Sequence, residues 1–135
     1  MSKISEKQME RGVARYFESQ NMVVNKQVPF TQKKIDIVLR NQQELWSIEI
    51  KIHDWKSALR QASQNKIAFN CSFVAVWYEF AHRAINNRDL FESMGIGLMT
   101  INKDFSANIE FSPSDEYTHY LSPVAHGYIL DKIKV

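Results

Sequence analysis

Asp36, Glu49 and Lys51 are the side chains whose types and spacing could do chemistry. The segment Leu45-Trp46-Ser47-Ile48-Glu49-Ile50-Lys51-Ile52 alternates cleanly: Trp46, Ile48, Ile50 and Ile52 share one face, Ser47, Glu49 and Lys51 the other, which is the period of a strand. Ile35-Asp36-Ile37-Val38-Leu39 is a second strand just before it. If a four-residue loop, Asn41 to Glu44, joins Arg40 to Leu45, opposed residues have numbers summing to 85. Asp36 then faces Glu49, Val38 faces Ser47 and Lys34 faces Lys51, whereas a one-residue slip would set Asp36 against Ile48 with mismatched faces. Two carboxylates directly opposed on a sheet repel each other, and a bound divalent cation removes the objection. Hard oxygen ligands suit magnesium or manganese, and the backbone carbonyl of Ile50 supplies another oxygen. Lys51, on the same face as Glu49, would stand beside a water on that ion.

The elements that must position these residues are read from hydrophobic spacing. Met9, Val13, Tyr16 and Phe17 form one stripe of a helix from about Ser5 to Gln20, whose polar flank carries Glu6 and Glu10. Met22-Val23-Val24 and Gln27-Val28-Pro29-Phe30 predict a first strand, with Pro29 near its end or on a sheet edge. Asp54 is the expected N-cap of a second helix, about Trp55 to Phe69, with Trp55, Ala58, Leu59, Ala62 and Phe69 on its apolar stripe. Ser72 to Trp77 is a continuous apolar run, the mark of a central strand covered on both faces. A third helix is predicted from about Phe80 to Met94 on Phe80, Ala84, Phe91 and Met94, with Gly95 as C-cap. Ile96 to Ile101 and Ala107 to Phe111 are further strands, and from Ser112 onward no element is predicted. The order α-β-β-β-α-β-α-β, with an extra strand, predicts an α/β fold: a mixed sheet flanked by helices.

Ile35-Asp36, thirteen residues before Glu49-Ile50-Lys51, on the second and third strands after an N-terminal helix and followed by helix and strand, resembles the PD-(D/E)XK nuclease superfamily. Within that restriction-endonuclease-like group it is most similar to minimal single-domain members such as archaeal Holliday-junction resolvases. The match covers about residues 5 to 101. The resemblance implies that Asp36 and Glu49 bind magnesium and that Lys51 positions or activates the attacking water. Glu10 resembles the helical glutamate that many members add to the site, and Gln61, in Ala58-Leu59-Arg60-Gln61-Ala62, resembles the glutamine some carry in the following helix. The family's proline before the aspartate is Ile35 here. Chance alone supplies roughly 0.7 E-x-K matches in a chain of this composition, so the specificity lies in the strand context and the opposed aspartate.

Plainer readings of the same residues stand beside this one. Glu49 and Lys51 could be the solvent side of an amphipathic strand, Asp36 a strand-end acid paired to Lys33 or Lys34, and Gln61 a helix-surface amide. Glu6 lies one turn before Glu10 on nearly the same flank, so either could be the helical acid. His53, His82, His119 and His126 lack ligand spacing, which argues against zinc.

With 135 residues, 44% hydrophobic and 24% charged, the chain fits a single domain spanning 1–135, with a C-terminal appendage from about residue 112. A lone Cys71 excludes an intramolecular disulfide and sits in an apolar run as a small buried residue. No apolar run approaches the roughly 20 residues that span a bilayer, and the N-terminus lacks a signal-peptide core, so a cytoplasmic protein without membrane contact is expected. The net charge of +2 is unevenly distributed: residues 1–25 carry +1, 26–66 +4, 67–100 −1 and 101–135 −2. Lys26, Lys33, Lys34, Lys56, Arg60 and Lys66 are therefore the expected phosphate track of a nucleic acid, DNA in preference to RNA. The aromatic segment after Ser112, with Tyr117, Tyr120 and Tyr128, offers apolar surface for a homodimer. The rival from another class is a catalytically silent nuclease-fold module serving binding, regulation or immunity.

Overall fold

The computed structural model describes residues 4–113 and 121–133. Ser5 starts the first helix, α1 (Glu6–Ser19): its hydroxyl accepts the Gln8 N–H, and the Gln8 side chain accepts the Ser5 N–H in return. α1 buries Met9, Val13, Ala14 and Phe17. There follow β1 (Val23–Phe30), β2 (Lys33–Asn41), β3 (Glu44–Lys51), α2 (Trp55–Asn65) and β4 (Cys71–Trp77). The chain continues through α3 (His82–Ile85), α4 (Arg88–Met94), β5 (Gly97–Ile101), β6 (Ala107–Phe111) and α5 (Pro123–Lys132).

The strands form one six-stranded mixed sheet in sequence order. β1, β2 and β3 are an antiparallel meander, β3, β4 and β5 run parallel, and β6 returns antiparallel. The helical connections β3-α2-β4 and β4-α3-α4-β5 are what parallel pairing demands. The expected mixed α/β sheet flanked by helices is therefore present. β1 is an edge strand, which lets Pro29 sit near its end without breaking a ladder on both sides.

Helices cover both sheet faces. α1 packs on Ile37, Leu39, Ile48, Ile50, Phe73 and Met99. On the opposite face Trp55, Ala58, Leu59 and Ala62 of α2 meet Val74, Val76, Phe91 and Leu98. A third cluster joins Val28, Phe30, Ile35, Val38 and Leu45 to Ala68, Phe69, Ile129 and Ile133.

Several expectations are revised. The β2–β3 register is the predicted one, Ile37 with Ile48 and Val38 with Ser47, but Asn41 and Glu44 pair, so the turn is two residues rather than four. The helix predicted over Phe80–Met94 is α3 and α4, separated at Asn86-Asn87, and its first apolar residue, Phe80, is exposed on a short 3-10 turn (Tyr78–Phe80). Asparagine side chains compete with the helical backbone, and Asn87 Nδ2 donates to the Arg83 carbonyl. α2 stops at Asn65, followed by a 3-10 turn over Lys66–Ala68, so Phe69 is buried beyond the helix. Cys71 is half-buried at the start of β4.

α5 is a helix the hydrophobic spacing did not predict. It sets Ile129 and Ile133 into the third cluster, and Tyr128 meets Phe30 at 6.2 Å between ring centroids. Ile129 and Ile133 thus pack onto their own chain, while Val124, Tyr128 and Leu130 stay exposed. Tyr117, Tyr120 and His119 lie outside the described residues. Among the described residues no helix is long and apolar enough to cross a membrane.

Candidate functional site

The β2–β3 ladder ends at Ile37–Ile48, one pair short of Asp36 and Glu49. At the same level the β1–β2 ladder skips Gln27 and Asp36, between Lys26–Ile37 and Val28–Ile35. Gln27 has φ 54°, the left-handed region that an ordinary side chain enters only under constraint. The strands rotate here. Val24, Ile37 and Leu39 pack on the α1 side, whereas Val28 and Ile35, of the same parity, belong to the opposite cluster. Asp36 and Gln27 sit at the crossover.

This rotation decides where the carboxyl groups go. By simple alternation Asp36 and Glu49 would both project toward α2. Glu49 does so: it is 2% exposed, and its Oε2 accepts Asn65 Nδ2 of α2 at 3.0 Å. Asp36 turns instead across the opening between β2 and β3. Its Oδ2 accepts the Ile50 N–H at 2.8 Å, and its Oδ1 accepts Gln27 Nε2 at 3.3 Å. The carboxyl groups are still neighbours, close enough for the charge of Asp36 to raise Glu49. In a strand the N–H and C=O of one residue leave on the same edge, so the Ile50 carbonyl faces the same opening.

Three carboxyl groups here hold their protons more tightly than usual. Burial pushes Glu49 up to about 8, with the neighbouring Asp36 charge adding to it. Asp36 is raised by burial against the hydrogen bonds from Ile50 and Gln27. Glu10 is raised by burial and by Asp36, against its hydrogen bond from Gln27. Such a cluster favours any positive charge that can replace a proton.

Glu10 is not in direct contact with the pair. Gln27 Nε2 bridges it to Asp36, donating to Glu10 Oε2 at 3.1 Å, so Glu10, expected as a metal ligand, stands behind an amide. Glu6 lies instead toward Lys51, whose Nζ is 3.9 Å from Glu6 Oε1. Among the described residues no group of three or more His, Cys, Asp or Glu side chains forms a ready cage for an ion. The donor set that fits a hard divalent ion is Asp36, Glu49 and the Ile50 carbonyl.

A cavity of about 550 Å³ opens at Asp36 and Ile50 and is walled by Glu6, Glu10, Gln27, Lys7, Arg11 and Lys26. Three acids, Glu6, Glu10 and Asp36, and three cations, Lys7, Arg11 and Lys26, line it together. On the other side a narrow hollow brings Glu49 together with Gln61, Gln64, Asn65, Lys33 and Lys34. Gln61, Lys33 and Lys34 thus lie around Glu49. Arg60 is exposed on α2. Lys56 lies over the Trp55 ring, beside a separate cavity with His53 and Arg83. Lys66 donates to the Met94 carbonyl at 2.8 Å, so its amine ties α2 to the end of α4 rather than facing the expected phosphate track.

Gln27 and Asn65 were missed by the sequence reading. Asn65 was legible one helical turn beyond Gln61 on the same face. Lys7 and Arg11 were hidden because their charge cancels against Glu6 and Glu10 in a linear tally.

No family model and no curated protein matches the sequence. Among solved structures the chain is similar to Pyrococcus furiosus SfsA in complex with Ca2+, at a TM-score of 0.41 and 6% identity, with 79% of this chain and 60% of that chain covered. The chain thus spans less than two thirds of the length of that protein.

Proposed function

We propose that this protein is a divalent-metal-dependent nuclease that hydrolyses phosphodiester bonds, most readily in DNA. The observation that carries the reading is the meeting of Asp36 with the Ile50 backbone beside Glu49 at a break in the sheet, with Lys51 near both carboxyl groups. Nothing in the packing of the sheet calls for a carboxylate pair at that break. Asp36, Glu49 and the Ile50 carbonyl hold magnesium or manganese. The ion, when bound, activates a water for attack and offsets negative charge on the phosphate.

The remaining work belongs to the chain. Lys51, held only loosely by Glu6, donates to the reacting phosphate or orients the nucleophile. Lys26, Lys7 and Arg11 hold the flanking phosphates beside the acids of the cavity. Gln27 keeps Glu10 and Asp36 in register through its amide, and Asn65 fixes Glu49.

One observation favours the rival binding module: Asp36 and Glu49 are satisfied by hydrogen bonds from Ile50, Gln27 and Asn65. The test is a cleavage assay on single-stranded, duplex and branched DNA and on RNA, with magnesium, manganese or EDTA. Metal-dependent cleavage lost in Asp36→Asn, Glu49→Gln and Lys51→Ala supports the nuclease. Absence of cleavage on every substrate, in a chain that binds nucleic acid, selects the module.

A further inference from the structure

Lys7, Arg11 and Arg15 follow one another at four-residue intervals on α1 and are all exposed. At about 1.5 Å of rise per residue, successive cations stand about 6 Å apart along one flank of the helix. Lys7, in the first turn, opposes the helix dipole. Among the described residues the two arginines of the row are free of carboxylate partners.

The row connects two hollows. Arg11 walls both the acidic cavity and a second one of about 570 Å³, which holds Arg15, Gly12, Tyr16 and Phe105. A volume of that order accommodates a planar ring. Phe105 has φ 70°, and its side chain lies so close over Gly12 that a Cβ there would stand 2.2 Å from the ring. The turn that holds it is closed by Asn102 and Ser106, with 2.8 Å between Asn102 N and Ser106 O. Asp104, the acid of this hollow, is turned back on Ser106, with 2.6 Å between its Oδ1 and the Ser106 hydroxyl. Phe105, its ring over Gly12 and 5.7 Å from that of Trp77, lines this hollow together with Tyr16 at the end of the cationic row, which has the form of a stacking platform.

We infer that the flank of α1 binds a single nucleic acid strand, its phosphates on Lys7, Arg11 and Arg15 and a base in the hollow between Tyr16 and Phe105. The ligand class is single-stranded nucleic acid, or the unpaired arm of a longer substrate, because a paired base has no free face to offer that hollow. The inference takes its ligand from the nuclease reading, so the experiment is built to separate the two.

Fluorescence anisotropy is measured in EDTA, where no metal-dependent cut occurs, with a labelled oligothymidine of about a dozen nucleotides and a duplex of the same length. The probe variants are Arg15→Gln and Tyr16→Leu, both outside the acidic cavity, with thermal melts to show that each is folded. Wild type is expected to prefer the single strand. Arg15→Gln lowers the slope of log affinity against log salt by about 0.7, one phosphate contact. Tyr16→Leu weakens single-strand binding by about fivefold or more with the slope unchanged. Duplex preference in wild type, or folded variants that bind the single strand as wild type does, overturns the inference while leaving any cleavage result intact. The expected binding pattern without cleavage in metal supports the strand track and overturns the nuclease instead.

Discussion

Replacing Glu49 by Gln should stabilise the protein at high pH and leave it almost unchanged at low pH. Glu49 is 2% exposed, and its carboxyl group is pushed from an ordinary 4.5 up to about 8. The unfolded chain loses this proton near 4.5, whereas the folded chain keeps it to about 8. Between those values the folded state binds one more proton than the unfolded state, so stability is fully present below 4.5 and is lost as pH rises through 8. The loss is about 1.4 kcal/mol per pH unit, or about 5 kcal/mol over the whole interval. Glutamine is neutral like the protonated acid, and its side-chain oxygen keeps the bond from Asn65. Urea unfolding of both proteins in EDTA from pH 5 to 9 isolates the effect, because groups common to both cancel in the difference. The Gln variant should gain on wild type steadily with pH. Curves that stay parallel, or a wild type more stable at pH 8 than at pH 6 relative to the variant, would refute burial of an uncompensated carboxyl group.

Millimolar magnesium or manganese should stabilise wild type by mass action on the folded state, by about 2.7 kcal/mol at a hundredfold excess over Kd and so with a higher Tm, and far less for Asp36→Asn or Glu49→Gln. Lys51→Ala should keep most of that metal response and still lose cleavage, as differential scanning fluorimetry beside the nuclease assay will show. Gly12→Ala should lower stability by about 1–3 kcal/mol despite alanine's better helix propensity, because its Cβ would meet the Phe105 ring at 2.2 Å; an equal or higher Tm refutes that packing. Ile129→Ala should cost about 2–5 kcal/mol in urea melts, whereas a loosely attached α5 would show no loss.

What was legible in the sequence is the pattern that burial enforces. Trp46, Ile48 and Ile50 alternate with Ser47 and Glu49, and that alternation fixed the register with β2, although Ser47 and Glu49 prove to be buried as well. The helix over Phe80–Met94 was misread because Phe80, Ala84, Phe91 and Met94 fit a helical period by spacing alone, while the Asn86-Asn87 pair that divides it carries no weight in a periodicity count. α5 has a weak apolar stripe, and its signals were local: Ser122 accepts from the Ala125 N–H, and Pro123 opens the first turn. The site was half legible. Asp36 and Glu49 follow from register, Gln61 and Asn65 from helix spacing, but the rotation at Gln27 follows from neither.

That rotation is the step that converts a hairpin into a site. In a regular antiparallel pair Asp36 would stand beside Glu49 on the α2 face, and the α1 cations would face a bare hydrophobic sheet. A left-handed residue in the middle of β1 costs of order 1 kcal/mol or more and persists only where its surroundings hold it. Gln27 is held by the two carboxylates that its amide bridges. The strain and the acid cluster therefore sustain each other: the turn of β1 carries Asp36 toward α1, and the charge this creates anchors the turned residue. The consequence is that Asp36 and Glu10 share one cavity with Lys7, Arg11 and Lys26, where the ladder ends and the Ile50 N–H turns to Asp36.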